Sequence, residues 1–304
     1  MITKLEQPLP KNGACLLGSV NLGAFVNHPY TKDAQFDFDA FKHAVRVSIR
    51  ALDTALDYGL DKHALEEQRY MAENYRNVGL GLMGVGTLCM KMGHYYGDEK
   101  SLELLDKIGN YFFREAVISS SHIATKKGSF PKYDEKVWDS DIIKEHFSEE
   151  EIKQLKRDGL RNCALLSIAP SGSIGTMFNV STGVEPHYRA EYTRTTKSLH
   201  GEDKEYKVAI QELQDYRRVN NTEDIPLYFE GADEIDYKRR IDVQAVLQKH
   251  IDTAISGTVN LAEDTTVEDV MKLYLYAWEQ GLKGITIFRS NCKRVGILNS
   301  TDEE

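Results

Sequence analysis

The hydrophobic pattern of this chain changes period several times, and each change predicts an element. Ala14-Cys-Leu-Leu-Gly-Ser-Val-Asn-Leu22 is a short apolar run that predicts a strand carrying Cys15. From Asp37 the spacing turns helical. Phe38, Phe41, Val45, Ile49, Leu52 and Leu56 recur at three- and four-residue steps, with Asp37 as the cap and Gly59 as the stop. One apolar face predicts that this helix lies on a sheet. A long helix is expected over residues 102–124, ended by Gly128-Ser-Phe-Pro131. Ser148-Glu-Glu-Glu151 has the form of a capping box opening a short polar helix to Arg157. Ala164-Leu-Leu-Ser-Ile-Ala169 suits a buried strand, which Pro170 stops. Ser171-Gly172-Ser173 then makes a small-residue turn, and residues 174–178 start a helix with Ser171 or Ser173 as its cap. Residues 192–235 are polar and charge-rich and read as a surface excursion.

The end of the chain repeats a strand–helix–strand pattern. Gly257-Thr-Val-Asn-Leu261 is a strand. Thr265-Thr-Val-Glu268 is a capping box opening a helix through Val267, Val270, Tyr274, Ala277 and Trp278. Gly281 stops that helix, and Gly284-Ile-Thr-Ile-Phe288 is the next strand. Strands alternating with helices define an α/β chain with a mostly parallel sheet and right-handed helical crossovers. The pattern suits an open sheet and part of a barrel equally.

Composition narrows the function classes. At 304 residues, with 41% hydrophobic and 28% charged, the chain has ordinary globular composition. A net charge of -9 argues against a broad nucleic-acid surface, which needs basic residues. No apolar run approaches the ~20 residues of a membrane span, and Met1-Ile-Thr-Lys4 opens no signal peptide. Cys15, Cys89, Cys163 and Cys292 are far apart, with no C-x-x-C pair and no zinc spacing. These features predict a cytoplasmic protein with reduced thiols, no metal site and no membrane or nucleic-acid partner.

Two motifs carry candidate chemistry. The strand, Ser/Gly turn and helix start over residues 164–178 gather free backbone N–H groups around one point, an anion site whose usual guest is phosphate. The turn lacks the lysine of a P-loop, so it is expected to hold phosphate rather than transfer it. Gly79-Leu-Gly-Leu-Met-Gly84 is literally G-x-G-x-x-G. A dinucleotide fingerprint needs a hydrophobic strand before it and an acidic residue about 20 positions on. Here the polar Glu73-Asn-Tyr-Arg-Asn77 precedes it, and Asp98-Glu-Lys-Ser101 begins another helix. The motif is therefore read as a strand and helix packed closely with glycine at the contacts. Cys89, among Leu88, Met90 and Met92, reads as a buried, inert thiol.

Five segments together resemble the ribonucleotide reductase large subunits, most of all the adenosylcobalamin-dependent class II. They are Glu6-Gln-Pro-Leu-Pro10 with residues 13–22, Asn77 to Gly84, Ile168 to Ile174 with Gly183-Val-Glu-Pro186, Thr258 to Asp264, and Leu282 to Arg289. The family fold is a ten-stranded α/β barrel of two five-stranded halves around a finger loop. The resemblance implies that residues 1–304 form one domain, the C-terminal half-barrel, beginning inside that loop. It implies that Cys15 is one of the redox cysteine pair and Glu6 the general base that takes the substrate 3′-hydroxyl proton. Pro170, Ser171, Gly172, Ser173 and Ile174 would hold the substrate phosphates. Adenosylcobalamin and an external dithiol such as thioredoxin would serve the assembled enzyme.

The chain departs from the family pattern Asn-x-Cys-x-Glu at the finger loop. Lys4 stands at the position of the radical cysteine and Ile2 at that of the asparagine. A lysine forms no thiyl radical, so the expectation is a split reductase inactive alone and completed by an N-terminal half that carries the cysteine. Two other readings are a non-catalytic nucleotide-phosphate-binding or scaffold subunit, and a fragment of a class I enzyme using a separate radical-generating subunit.

Overall fold

The structure, a computed structural model, describes residues 8–196 and 204–289. Five extended segments run parallel in chain order. β1 (Leu16–Asn21) is the first, followed by a short antiparallel pair, β2 (Val26–Asn27) with β3 (Gln35–Phe36), and by α1 (Phe38–Gly59) and α2 (Glu66–Tyr75). β4 (Val78–Met83) returns beside β1, with Leu16 opposite Val78 and Asn21 opposite Met83. Four helices follow: α3 (Val85–Met92), α4 (Glu99–Lys127), α5 (Asp141–His146) and α6 (Glu149–Asp158).

The third segment, residues 164–169, lies along the other side of β4. It bridges Leu166 to Leu80 in parallel, and Ser167 N–H donates to Leu80 O at 3.0 Å. After it come α7 (Gly172–Met177), the hairpin β5 (Glu191–Thr196) with β6 (Lys204–Ala209), α8 (Gln211–Asn220) and α9 (Tyr237–Gln248). The fourth segment meets the third at Ile168 and Ile255, where Ser256 N–H donates to Ile168 O at 2.8 Å. It continues into β7 (Thr258–Leu261), and α10 (Val267–Glu279) crosses over to the parallel β8 (Thr286–Arg289). The fold is α/β, as expected. The segment over 164–169 is extended but holds its neighbours through isolated bridges rather than a full ladder.

Periodicity explains the core. Phe41, Val45 and Ile49 of α1 are fully buried, as are Leu105, Ile108 and Phe112 of α4. Removing each such side chain from water is worth about 1.5–3 kcal/mol. Asp37 caps α1 by accepting from Ala40 N–H at 2.9 Å, and Ser148 with Glu151 forms the capping box of α6.

β4 is buried along its whole length, as a central parallel strand must be. A Cβ on Gly79 would stand 2.7 Å from Leu17 Cδ2, and one on Gly81 only 2.5 Å from Ser167 O. Hydrogen is all that fits, so the G-x-G-x-x-G motif serves close packing, as its context implied.

The structure corrects two expectations. The capping box of α10 is one residue later, Thr266 with Asp269 rather than Thr265 with Glu268. Both pairs fit the same spacing, and the helix register selects the second. The stretch 192–235 is more than a surface excursion. It holds the β5–β6 hairpin and α8, and Leu213 and Phe229 bury against Tyr30 and Met90.

Candidate functional site

The turn expected to bind phosphate stands at the carboxyl end of the third segment. Gly172, Ser173 and Ile174 are exposed, and nothing lies within 4 Å of where a Cβ on Gly172 would be. They form the first turn of α7, whose amides have no acceptor within the helix. Pro170 is exposed beside them. Ser171 occupies the cap position but makes no side-chain cap bond. It is 3% exposed, and its Oγ accepts from Gly183 N–H at 2.7 Å. The hydroxyl thus closes the loop 171–183 on itself.

That loop is tied down from three directions. Thr87 N–H of α3 donates to Ser181 Oγ at 3.1 Å, and Ser181 N–H donates back to Thr87 Oγ1 at 2.9 Å. Tyr96 O–H donates to Val184 O. Glu185 Oε1 accepts from Thr258 N–H of β7 at 3.0 Å. Thr87 Oγ1–H is then received by Glu212 Oε1 of α8 at 2.5 Å, with His187 Nε2 3.1 Å from the same oxygen. Burial pushes the Glu212 carboxyl up, but the bonds from His187 and Thr87 outweigh it and hold it below the ordinary carboxylate range. His187 therefore belongs to a buried anchor behind the turn. A cavity of about 590 Å³ lies there, bordered by Thr176, Thr182, His187, Arg240 and Asn260.

Cys15 immediately precedes β1 and is partly exposed. A Cβ on Gly79 would be 3.0 Å from both Cys15 Sγ and Ser167 Cβ, so the thiol, β4 and the third segment meet on one face. Ser167 is three positions before Pro170, roughly 10 Å at about 3.3 Å per residue. The structure thus brings Cys15 onto the strand face that leads to the turn. Glu6 and Cys292 lie outside the described residues.

The remaining thiols differ in reach. Cys89 is 3% exposed, and burial pushes its thiol up to about 12. Cys163 is exposed. Partial burial and the Asp252 charge nonetheless push the Cys163 thiol above its ordinary value, so alkylation of the native chain at pH 8, mapped by mass spectrometry, is expected to modify Cys163 and Cys15 slowly and Cys89 only after unfolding. Modification of Cys89 in the native state would contradict its burial.

Sequence reading missed Glu212, Thr87, Ser181 and Tyr96. No local signal marks them, because each acts through a partner distant in sequence. Among the described residues, no group of three or more His, Cys, Asp or Glu is placed to hold a metal ion, and no helix is long and apolar enough to cross a membrane.

A parallel α/β sheet with a thiol on one face and an exposed amide-rich turn at its carboxyl edge defines a thiol-bearing α/β domain. The family model "Ribonucleotide reductase, barrel domain" matches residues 5–288. The chain belongs to the ribonucleotide reductase catalytic-subunit family. It is 27% identical over 316 residues to the vitamin B12-dependent ribonucleoside-diphosphate reductase of Thermoplasma acidophilum, covering 98% of this chain and 38% of that protein. Against the Mycobacterium tuberculosis protein of the same description it is 27% identical over 313 residues, 97% of this chain and 42% of the relative. The ribonucleoside-diphosphate reductase subunit alpha of Treponema pallidum is 27% identical over 267 residues, 86% of this chain and 30% of that subunit. The chain therefore spans about two fifths of the B12-dependent relatives it matches.

Proposed function

We propose that this chain is the C-terminal half of the ten-stranded catalytic barrel of an adenosylcobalamin-dependent ribonucleotide reductase. The observation that carries the reading is Cys15 on the strand face that ends in the exposed amide turn, within a chain matched almost throughout by the family's barrel domain. In this reading the amides of Gly172, Ser173 and Ile174, in the turn shaped by Pro170 and Ser171, hold the substrate phosphates. Cys15 supplies one of two thiols. Two electrons and two protons pass to the ribonucleotide, the 2′-hydroxyl leaves as water, and the thiols join as a disulfide. An external dithiol such as thioredoxin reverses that oxidation. Glu6 accepts and returns the 3′-hydroxyl proton.

The radical cysteine comes from an N-terminal partner half, since Lys4 stands at its position here. Two surfaces suit such a partner. Leu16 and Leu17 are 37% and 52% exposed on β1, the first strand of the row. At the last strand, α10 presents Val267, Met271, Leu275 and Trp278 to solvent. The cofactor reading rests on the relatives' B12 dependence. Bound adenosylcobalamin would supply the radical that the cysteine takes up. A corrin is much larger than the cavity of about 590 Å³ behind the turn, so the described residues do not fit it by themselves.

Complementation tests the reading. The chain is mixed with an N-terminal half carrying the radical cysteine, a ribonucleoside diphosphate, adenosylcobalamin and dithiol, and deoxynucleotide is measured. Product that disappears with Cys15→Ser supports the split reductase. A stable complex without product would leave a phosphate-binding scaffold.

A further inference from the structure

A buried histidine pair lies away from the turn, where α4, α5 and the turn after α9 meet. His146 and His250 are 8% and 7% exposed. Their rings stand at 83° with centroids 5.0 Å apart, and His146 Nε2 is 2.7 Å from His250 Nδ1. His146 Nδ1 is 2.7 Å from Ile142 O, and His250 Nε2 is 3.1 Å from Asp106 Oδ1. A Cβ on Gly109 would come within 2.3 Å of His250 Cδ2, so only glycine admits the ring there.

Counting protons along this chain of bonds gives a definite result. A carbonyl only accepts, so His146 Nδ1 carries a hydrogen. An ionised carboxylate only accepts, so His250 Nε2 carries one too. Two neutral rings have then used both of their protons. Two lone pairs would face each other at 2.7 Å between His146 Nε2 and His250 Nδ1. One additional proton turns that contact into a hydrogen bond and gives the pair a single positive charge beside Asp106.

We propose that His146 and His250 share one proton, and that this proton clasps α5 and the turn after α9 to α4, making the base of the third strand segment responsive to pH. The charged groups facing the pair are Asp106 and Arg114 from α4, Glu145 from α5 and Lys249 from the end of α9. Burial pushes each ring below its ordinary value of 6.5. The carbonyl of Ile142 opposes this at His146 and the Asp106 bond opposes it at His250. The pair therefore takes up its extra proton only as pH falls below 6.5. The unfolded chain, with two ordinary histidines, binds more protons below pH 6.5 than the folded pair, so stability falls as pH falls there. Above that range the shared proton leaves to water and the N···N bond is lost.

The consequence reaches the turn through Asp252, two residues after His250. Its carboxyl, which full burial pushes above the ordinary range against the amides and Lys283 that hold it down, accepts from Leu165 and Leu166 N–H, both at 2.8 Å, at the start of the segment that ends at Pro170. That this segment carries a phosphate site rests on the reductase reading; the clasp itself does not.

The test is a ¹⁵N NMR titration of the full chain, selectively labelled at histidine and leucine, from pH 5 to 9, without nucleotide. The expected result is one more ring proton on the pair than two neutral imidazoles carry, lost in a single step, with the Leu165 and Leu166 amides shifting at the same midpoint. Asp106→Asn keeps the shape and an acceptor oxygen but removes the negative charge beside the pair. It should lower that midpoint by about one pH unit while the chain stays folded. His250 found as a neutral Nδ1–H tautomer throughout would overturn the proposal. So would an unchanged midpoint in Asp106→Asn, or leucine amides that ignore the step. None of these outcomes bears on whether the chain binds nucleotides.

Discussion

Asp53→Ala is expected to lower the stability of the chain by about 3–5 kcal/mol, the scale for leaving a buried charge without its partner. Asp53 is 1% exposed and Arg76 3%. Arg76 donates to Asp53 Oδ1 through Nη2 at 2.6 Å and Nε at 3.1 Å, while Asn162 Nδ2 donates to the same oxygen at 3.3 Å. Arg76 ends α2 with φ 51°, a left-handed backbone unusual for a long side chain. The ion pair therefore fixes α1, the entry to β4 and the approach to the third segment together. Removal of Asp53 leaves the guanidinium to Asp57, which is 36% exposed and also holds Lys127. A loss of this size is a large fraction of the ~5–15 kcal/mol of a typical domain. Urea unfolding should show a lower midpoint at unchanged slope, and a smaller loss for Asp53→Asn, which retains an acceptor oxygen. An unmoved midpoint in Asp53→Ala would mean that Asp57 alone suffices.

The elements legible in the sequence are those whose determinants are local. α1 declares itself through an apolar residue every three or four positions and an aspartate cap. α6 does so through a capping box. α9 gave no such signal. Much of its buried surface is polar: Arg240, Gln244 and Gln248 are each at most 6% exposed. They are soluble in the interior because backbone carbonyls receive them, as when Gln244 Nε2 donates to Gly284 O at 2.7 Å and Arg240 Nη2 to Thr258 O at 2.5 Å. A pattern rule that equates burial with apolarity passes over such a helix. The stretch 192–235 misled for a related reason. Two of its buried anchors, Leu213 and Phe229, pack on Tyr30, far away in sequence, and its buried Glu212 reads as a solvated charge until Thr87 and His187 are brought to it. At the turn, the residues that present amides were legible from composition. The use of Ser171 as an acceptor for Gly183 was not, since it depends on the path by which the loop returns.

Gly79→Val is expected to cut the activity of the proposed split reductase by about 100-fold or more, to the level of Cys15→Ser, on the scale of an ångström of misplacement at a reacting group. The new Cβ would press on three atoms: Leu17 Cδ2 at 2.7 Å, Cys15 Sγ at 3.0 Å and Ser167 Cβ at 3.0 Å. Leu17 is half exposed and ends in a flexible isobutyl group, so it can swing away. Ser167 is fully buried between strands and cannot, which leaves the thiol as the group that must move. Overpacking of this kind destabilises by about 1–3 kcal/mol, so the chain should still fold, and the loss should appear in turnover rather than in yield. Gly81→Ala separates the two effects. Its Cβ would meet the backbone oxygen of Ser167 at 2.5 Å, with no side-chain end to yield, and it lies farther along β4 from Cys15. It should unfold at lower urea than Gly79→Val while its folded fraction keeps more activity. The opposite order, with Gly79→Val active and Gly81→Ala folded but inactive, would remove Cys15 from the reacting centre and leave the turn as the only part of the site supported by the geometry.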